Sequence, residues 1–365
     1  PAVVFLHLMA LLVASAYNAA AMADTNADIS VTKVSSNVIV VADPEPRIAN
    51  LRSDLDLGIR VSSEIPIQSG TKAEASFRRT EAQLLASKQR SVFEESGQWG
   101  VVRLYPEYSV IPQLMLELIV LESDGRELSI RATLTAVSGD VLLAETYLDR
   151  SASANLASEP EDPFADLFHR IHRDVAVAVS KHPKSSRYLD TLSFLRYAQQ
   201  LVPEAFSGYL ASNSGQWQLL REPSDQDPMY ARIAKLRDYE LLFVDTIDEQ
   251  LSGALRDIDV PYKLWLQASK EQLDWLERRR SRGVDVASFS DDSTFARHQA
   301  VYAAYRSLKI HEQELFELVL DLENESRSIA LEIEDNVVKL EGSLEQQYRE
   351  WRETLAKIVQ LENAF

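Results

Sequence analysis

Two histidines stand three residues apart in Phe168-His169-Arg170-Ile171-His172-Arg173-Asp174. On a helix that spacing places both imidazoles on one face, where they can share a zinc or copper ion. His182 or a nearby carboxylate would supply the third ligand. The chemistry on offer is metal binding, or a metal-dependent hydrolysis in which the ion activates water. The glutamate of the H-E-x-x-H pattern is missing, and histidines interleaved with arginines equally describe an exposed polar helix face.

Three other groups carry possible chemistry. Asp54 and Asp56 alternate in Ser53-Asp54-Leu55-Asp56-Leu57-Gly58, so in a strand they point to one side and can take a cation or move a proton. No EF-hand spacing follows them, which favours a loop entering a strand. Arg278, Arg279, Arg280 and Arg282 form a cationic cluster suited to an acidic partner or a phospholipid head group. Arginines at a helix end also offset the negative pole of its dipole. Trp217, Trp265, Trp275 and Trp351 offer aromatic faces, but among leucines at helical spacing they read as core or helix contacts.

Strong enzyme signatures are missing. There is no G-x-S-x-G elbow, Walker loop or G-x-G-x-x-G. Ser69-Gly70-Thr71-Lys72 matches S-x-x-K by letter without the accompanying S-D-N or K-T-G. The chain has no cysteine, which excludes disulfides, thiolate zinc sites and a cysteine nucleophile. No cofactor and no catalytic residue is expected. The net charge of −18 disfavours nucleic acid and anionic membrane surfaces as partners.

The elements that must position these groups divide at about residue 182. Residues 24–182 read as an α+β domain. Strands are expected at 29–34, 37–41, 57–65 and 99–105, with a helix at 73–95. Three more strands at 114–121, 127–136 and 141–148 are joined by Asp124-Gly125 and Ser138-Gly139-Asp140, which makes an antiparallel meander. Helices before and after should cover it, the second opened by a cap at Asp162 and Pro163 at its first position.

Residues 183–365 read as an all-α domain with long coiled-coil-like helices. Helices are expected at 188–201 and 204–220, and a long one from Asp227-Pro228 that Pro261 kinks or breaks near Asp259. From Tyr262 to the last residue there is no proline and only Gly283 and Gly342. Leu308, Leu315, Leu322 and Ile329 recur at heptad spacing, as do Val337, Leu344, Trp351 and Ile358 in a second register. The spacing predicts one break near 324–328 and an antiparallel hairpin against 230–280.

Residues 2–16 are almost wholly apolar, and Ala21-Met22-Ala23 fits signal-peptidase cleavage before Asp24. Residues 1–23 are therefore expected to be a cleavable signal peptide that sends the chain to the periplasm. The apolar run is short for a membrane span, and no later stretch approaches one, so the mature chain is expected to be soluble.

Gly97-Gln98-Trp99-Gly100-Val101-Val102-Arg103, with Ser123-Asp124-Gly125, Asp162-Pro163-Phe164 and the helix to Asp174, resembles a group of exported proteobacterial proteins without an assigned activity. The likeness spans residues 77–179 and brings no catalytic residues with it. In pattern alone, the helix followed by a strand at 99–103 is similar to the small α/β domains of envelope assembly proteins, the CsgG-like and TolB amino-terminal types. The reading that follows is a non-enzymatic cell-envelope protein. It would bind another envelope protein, or itself, through the helical domain. A metal site at His169 and His172 and a small-ligand site in a cleft near His182 are the alternatives.

Overall fold

Two glycine turns organise the sheet. The computed structural model describes residues 38–40, 54–67, 70–105, 111–151, 162–224, 227–281, 293–324, 329–333, 336–340, 346, 347, 349–351, 353–355 and 357. The chain enters through β1 (Val38–Val40) and β2 (Leu57–Ser63), passes along helix α1 (Lys72–Ser96) to β3 (Val102–Leu104), and then runs through β4 (Leu114–Ser123), β5 (Glu127–Ala136) and β6 (Val141–Arg150). Strand order is β1-β6-β5-β4-β2-β3. The β4-β5-β6 meander is antiparallel, as the short turns require, while β1, β2 and β3 join in parallel. Gly125 and Gly139 sit in its two turns at φ +86° and +90°, a region that a Cβ disfavours.

Alternation along β4 and β5 turns Leu114, Leu116, Leu118 and Val120, with Leu128, Ile130, Ala132 and Leu134, into the core. Two helices help to fill that core. Helix α1 starts where the Thr71 hydroxyl accepts the Glu74 amide, ends at Gly97 in the left-handed region, and buries Phe77, Leu84, Leu85 and Phe93. Helix α2 (Ala165–Ser180) buries Leu167, Phe168, Ile171 and Val175. It begins later than its sequence signal suggests. Asp162 accepts the Phe164 amide at 2.9 Å, so it shapes the turn before the helix, and no side chain caps the first turn itself.

The carboxy-terminal half departs from an all-α reading. After α3 (Ser186–Leu201) and the one-turn α4 (Pro203–Phe206) comes a hairpin of β7 (Leu210–Asn213) and β8 (Gln216–Leu219), where a weak helix is expected. Its turn holds Ser214 at φ +49° and Gly215 at φ +84°, two successive left-handed residues that stop a helix and favour a tight hairpin. Helix α5 (Pro228–Ser281) then runs unbroken through Pro261. Proline removes one hydrogen bond there. Leu255, Ile258, Tyr262 and Leu266 are buried on both sides of it, and that packing holds the helix together. Helix α6 (Ser293–Asn324) ends where the heptad register changes, but β9 (Ile329–Ile333) and β10 (Asn336–Leu340) follow as an antiparallel hairpin. Helical residues resume at 346–347 and 349–351, where Trp351 is buried and stacks on Phe243 at 5.1 Å.

Asn37–Phe365 forms one compact unit, mixed α/β in class. Among the described residues, no helix is long and apolar enough to cross a membrane.

Candidate functional site

The histidines of α2 occupy unlike environments. His169 is exposed. His172 lies edge-on between aromatic rings, 5.2 Å from Phe93 and 6.3 Å from Trp99. Burial lowers the His172 pKa to about 4, with a smaller contribution from His169. The His172 Nε2 and Trp99 Nε1 atoms are both buried without a hydrogen bond among the described residues. The interleaved Arg170 is used locally: its Nε donates to Asp174 at 2.9 Å, and the Tyr147 hydroxyl donates to the same carboxylate at 3.1 Å. His182 lies beyond the end of α2, next to Asp140 and Lys184, and its pKa is lowered by burial. Among the described residues, no three His, Cys, Asp or Glu side chains are grouped to hold a metal ion.

The other sequence candidates fall into structural positions. Asp56 Oδ1 accepts the Val101 amide at 2.8 Å, and the Asp56 amide donates to Gln113 at 2.8 Å, so this residue fastens the start of β2 to its neighbours. Asp54 is exposed beside it. Arg278 is exposed, Arg279 and Arg280 lie in the last turn of α5, and Arg282 falls outside the described residues. Trp265 and Trp351 are buried as helix contacts, with Trp265 5.0 Å from Phe77. Trp275 is half-buried on α5, and Trp217 stands on β8 beneath Arg196.

The densest chemistry lies between α1 and α5. At one end the Tyr262 hydroxyl donates to Glu81 at 3.0 Å and lies 3.0 Å from Ser123, while Arg78 Nη1 donates to the other Glu81 oxygen at 2.7 Å. Next, Lys88 bridges Asp162 and Asp259, the second contact at 2.5 Å. Then Arg90 meets Asp248 at 2.5 Å and donates to Ser252 at 3.2 Å. Last, Arg103 on β3 pairs with Asp245 at 2.5 Å and 3.1 Å. Residue numbers rise along α1 as they fall along α5, so these two helices run antiparallel.

The charges of this seam respond to burial first. Burial works to lower the Lys88 pKa, but Asp162 and Asp259 outweigh it and hold the ammonium above its ordinary value. Burial lifts Asp248 above the ordinary carboxylate value despite Arg90 and the Leu104 amide that donates to it at 3.2 Å. Tyr262, wholly enclosed beside Glu81, is held far above its ordinary value. Each carboxylate of the seam faces a cation or a donor within the chain. The arrangement locks α5 to the sheet, and Asp248 also covers an amide of edge strand β3. Sequence reading passed over Lys88, Arg90, Asp248 and Asp259 because they are scattered over 171 residues. Only a buried charge inside an apolar helix stripe marks them.

No protein-family model, curated protein or solved structure matches this chain.

Proposed function

We propose that this is an exported periplasmic protein of the cell envelope that works without catalysis, binding another envelope protein or a second copy of itself through its long helices. The observation that carries the reading is the surface of α5. The helix has 54 residues, about 80 Å at 1.5 Å per residue. Its inner face is committed to α1 and the sheet, yet Leu242, Val260, Leu264 and Leu276 stay exposed, as do Ile310 and Leu318 on α6. Leu242, Val260 and Leu264 share one side of α5 at 100° per residue. Such residues contribute affinity when a second helix covers them. The heptad seam of α6 is used within the chain, since Leu315 is buried and Leu308 packs against the core, so Ile310 and Leu318 are the residues this helix leaves for a partner.

The test places a photo-crosslinking residue at Val260 or Leu264 in cells, with Arg131 on the sheet as control, and reads the adducts and the compartment together. One discrete periplasmic adduct from the α5 positions, lost in a Leu242→Glu variant, is expected. Equal labelling from α5 and from Arg131, or a cytoplasmic location, would sink the reading.

A further inference from the structure

Gly253 stands inside α5 at a point where the fold of the chain does not require a glycine. Its backbone is helical, so no left-handed conformation is needed. Beyond the helix's own backbone, a Cβ placed there would meet only Arg256 Nη2, at 3.7 Å, an ordinary contact. Alanine would therefore fit. It would also strengthen the helix, because glycine loses more backbone freedom on folding.

The position gives the glycine a meaning. At 100° per residue, Gly253 falls within about 20° of both Leu242 and Val260 on the outward side of α5. Those two residues and Leu264 are exposed. The outward stripe thus carries apolar groups on either side of a notch with no side chain. Such a notch lets the backbone of a crossing helix come close. The border of the stripe is acidic. Asp238, Glu249 and Asp257 are exposed, and none of them has an ion-pair partner among the described residues. The cations that accompany them are Lys235 and Arg256. The inner side of the same helix differs, since there Arg90 meets Asp248 and Lys88 meets Asp259.

We propose that α5 receives a cationic amphipathic helix of another protein, which crosses it at Gly253. This rests on the helix-contact reading of α5 and names the chemistry of the partner. The apolar face of the incoming helix covers Leu242, Val260 and Leu264. Lysines or arginines beside that face meet Asp238, Glu249 and Asp257, which favours encounter and selects against acidic helices. A second copy of the chain suits the stripe poorly. Each copy has a net charge of −18, and a two-fold contact through this face sets two acidic borders against each other.

Two peptides of identical leucine, alanine and lysine content test the surface when titrated calorimetrically against the purified chain. One is amphipathic over three heptads; the other is scrambled so that it has no apolar face. The scramble measures attraction by net charge alone, and the amphipathic peptide should bind at least about tenfold more tightly. Gly253→Leu fills the notch with a good helix former on an outward face. It should weaken that binding at least about tenfold, whereas a surface not approached closely would bind as before or more tightly. Gly253→Ala should raise the melting temperature by about 2 °C and still weaken binding. Equal binding of the two peptides, no binding of either, or binding unchanged in Gly253→Leu overturns the inference. Tighter binding of a version with glutamate in place of lysine overturns it too. The in-cell adducts from Val260 are then read by mass. An adduct of two copies keeps the helix-contact reading and overturns this inference, while an absence of adducts takes down both.

Discussion

Gly139 and Gly215 meet turn to turn, so closely that a Cβ on Gly139 would fall 2.2 Å from the Gly215 carbonyl oxygen. The opposite end of the meander repeats the arrangement, since a Cβ on Gly125 would fall 2.2 Å from the Leu266 carbonyl oxygen on α5. Both turns of the sheet are thus seated on backbone from the second half of the chain. Arg126 reinforces one seat by pairing with Glu277 at 2.6 Å.

Alanine at these positions should separate conformational strain from collision. Gly97 has φ +61° with open space around its missing Cβ, so Gly97→Ala should cost about 1 kcal/mol. Gly125→Ala and Gly139→Ala add a backbone clash to the same strain and should each cost about 3 kcal/mol. Urea unfolding midpoints of the three variants check the ranking, and equal shifts would show that the turns are not seated as described.

The Arg90–Asp248 pair should behave as a coupled unit. Arg90→Met leaves a carboxylate at 7% exposure with only the Leu104 amide, a loss of about 2–4 kcal/mol. Asp248→Asn leaves Arg90 with Glu94 at 3.3 Å and Ser252, a loss of about 1 kcal/mol. The double variant should lose less than the two single losses together, with a coupling of about 1 kcal/mol or more measured by a double-mutant cycle. Additive losses would mean that the contact contributes no stability of its own.

His172 should make the fold sensitive to mild acid. Its pKa in the folded chain, about 4, lies below the ordinary histidine value of 6.5. As pH falls, the unfolded chain takes up the proton first. The stability tied to a neutral His172 is therefore complete above pH 6.5 and is lost progressively as pH drops toward 4. The loss should reach about 1–2 kcal/mol, below the full linkage value because the ring keeps some contact with water. Unfolding midpoints of the native chain and of His172→Phe across this range provide the check, and the variant should have the flatter profile.

The meander was legible because its turn residues and its alternation point the same way: Asp124-Gly125 and Ser138-Gly139 bracket strands whose odd and even positions differ in polarity. The β7–β8 hairpin was not, because four-residue strands are too short to show a period against the helical composition around them. The hairpin of β9 and β10 escaped for a different reason. Ile329 and Val337 fit a heptad by spacing, while Ile329, Ile333, Val337 and Val338 are β-branched residues that favour strands. Pro261 suggests a stop that the packing of Tyr262 and Ile258 overrides. Arg196 comes from α3 and Trp217 from β8, so no local motif joins Arg196 to its aromatic partner.

The antiparallel run of α1 along α5 also has a mechanical meaning. Tension applied along the axis of α5 would load the Glu81–Tyr262, Lys88–Asp259 and Arg90–Asp248 contacts in shear, all at the same moment. Tension applied across the axis would peel them one after another. A helix fastened in this way resists a lengthwise pull far better than a sideways one, so the direction of a pull decides whether the sheet feels it.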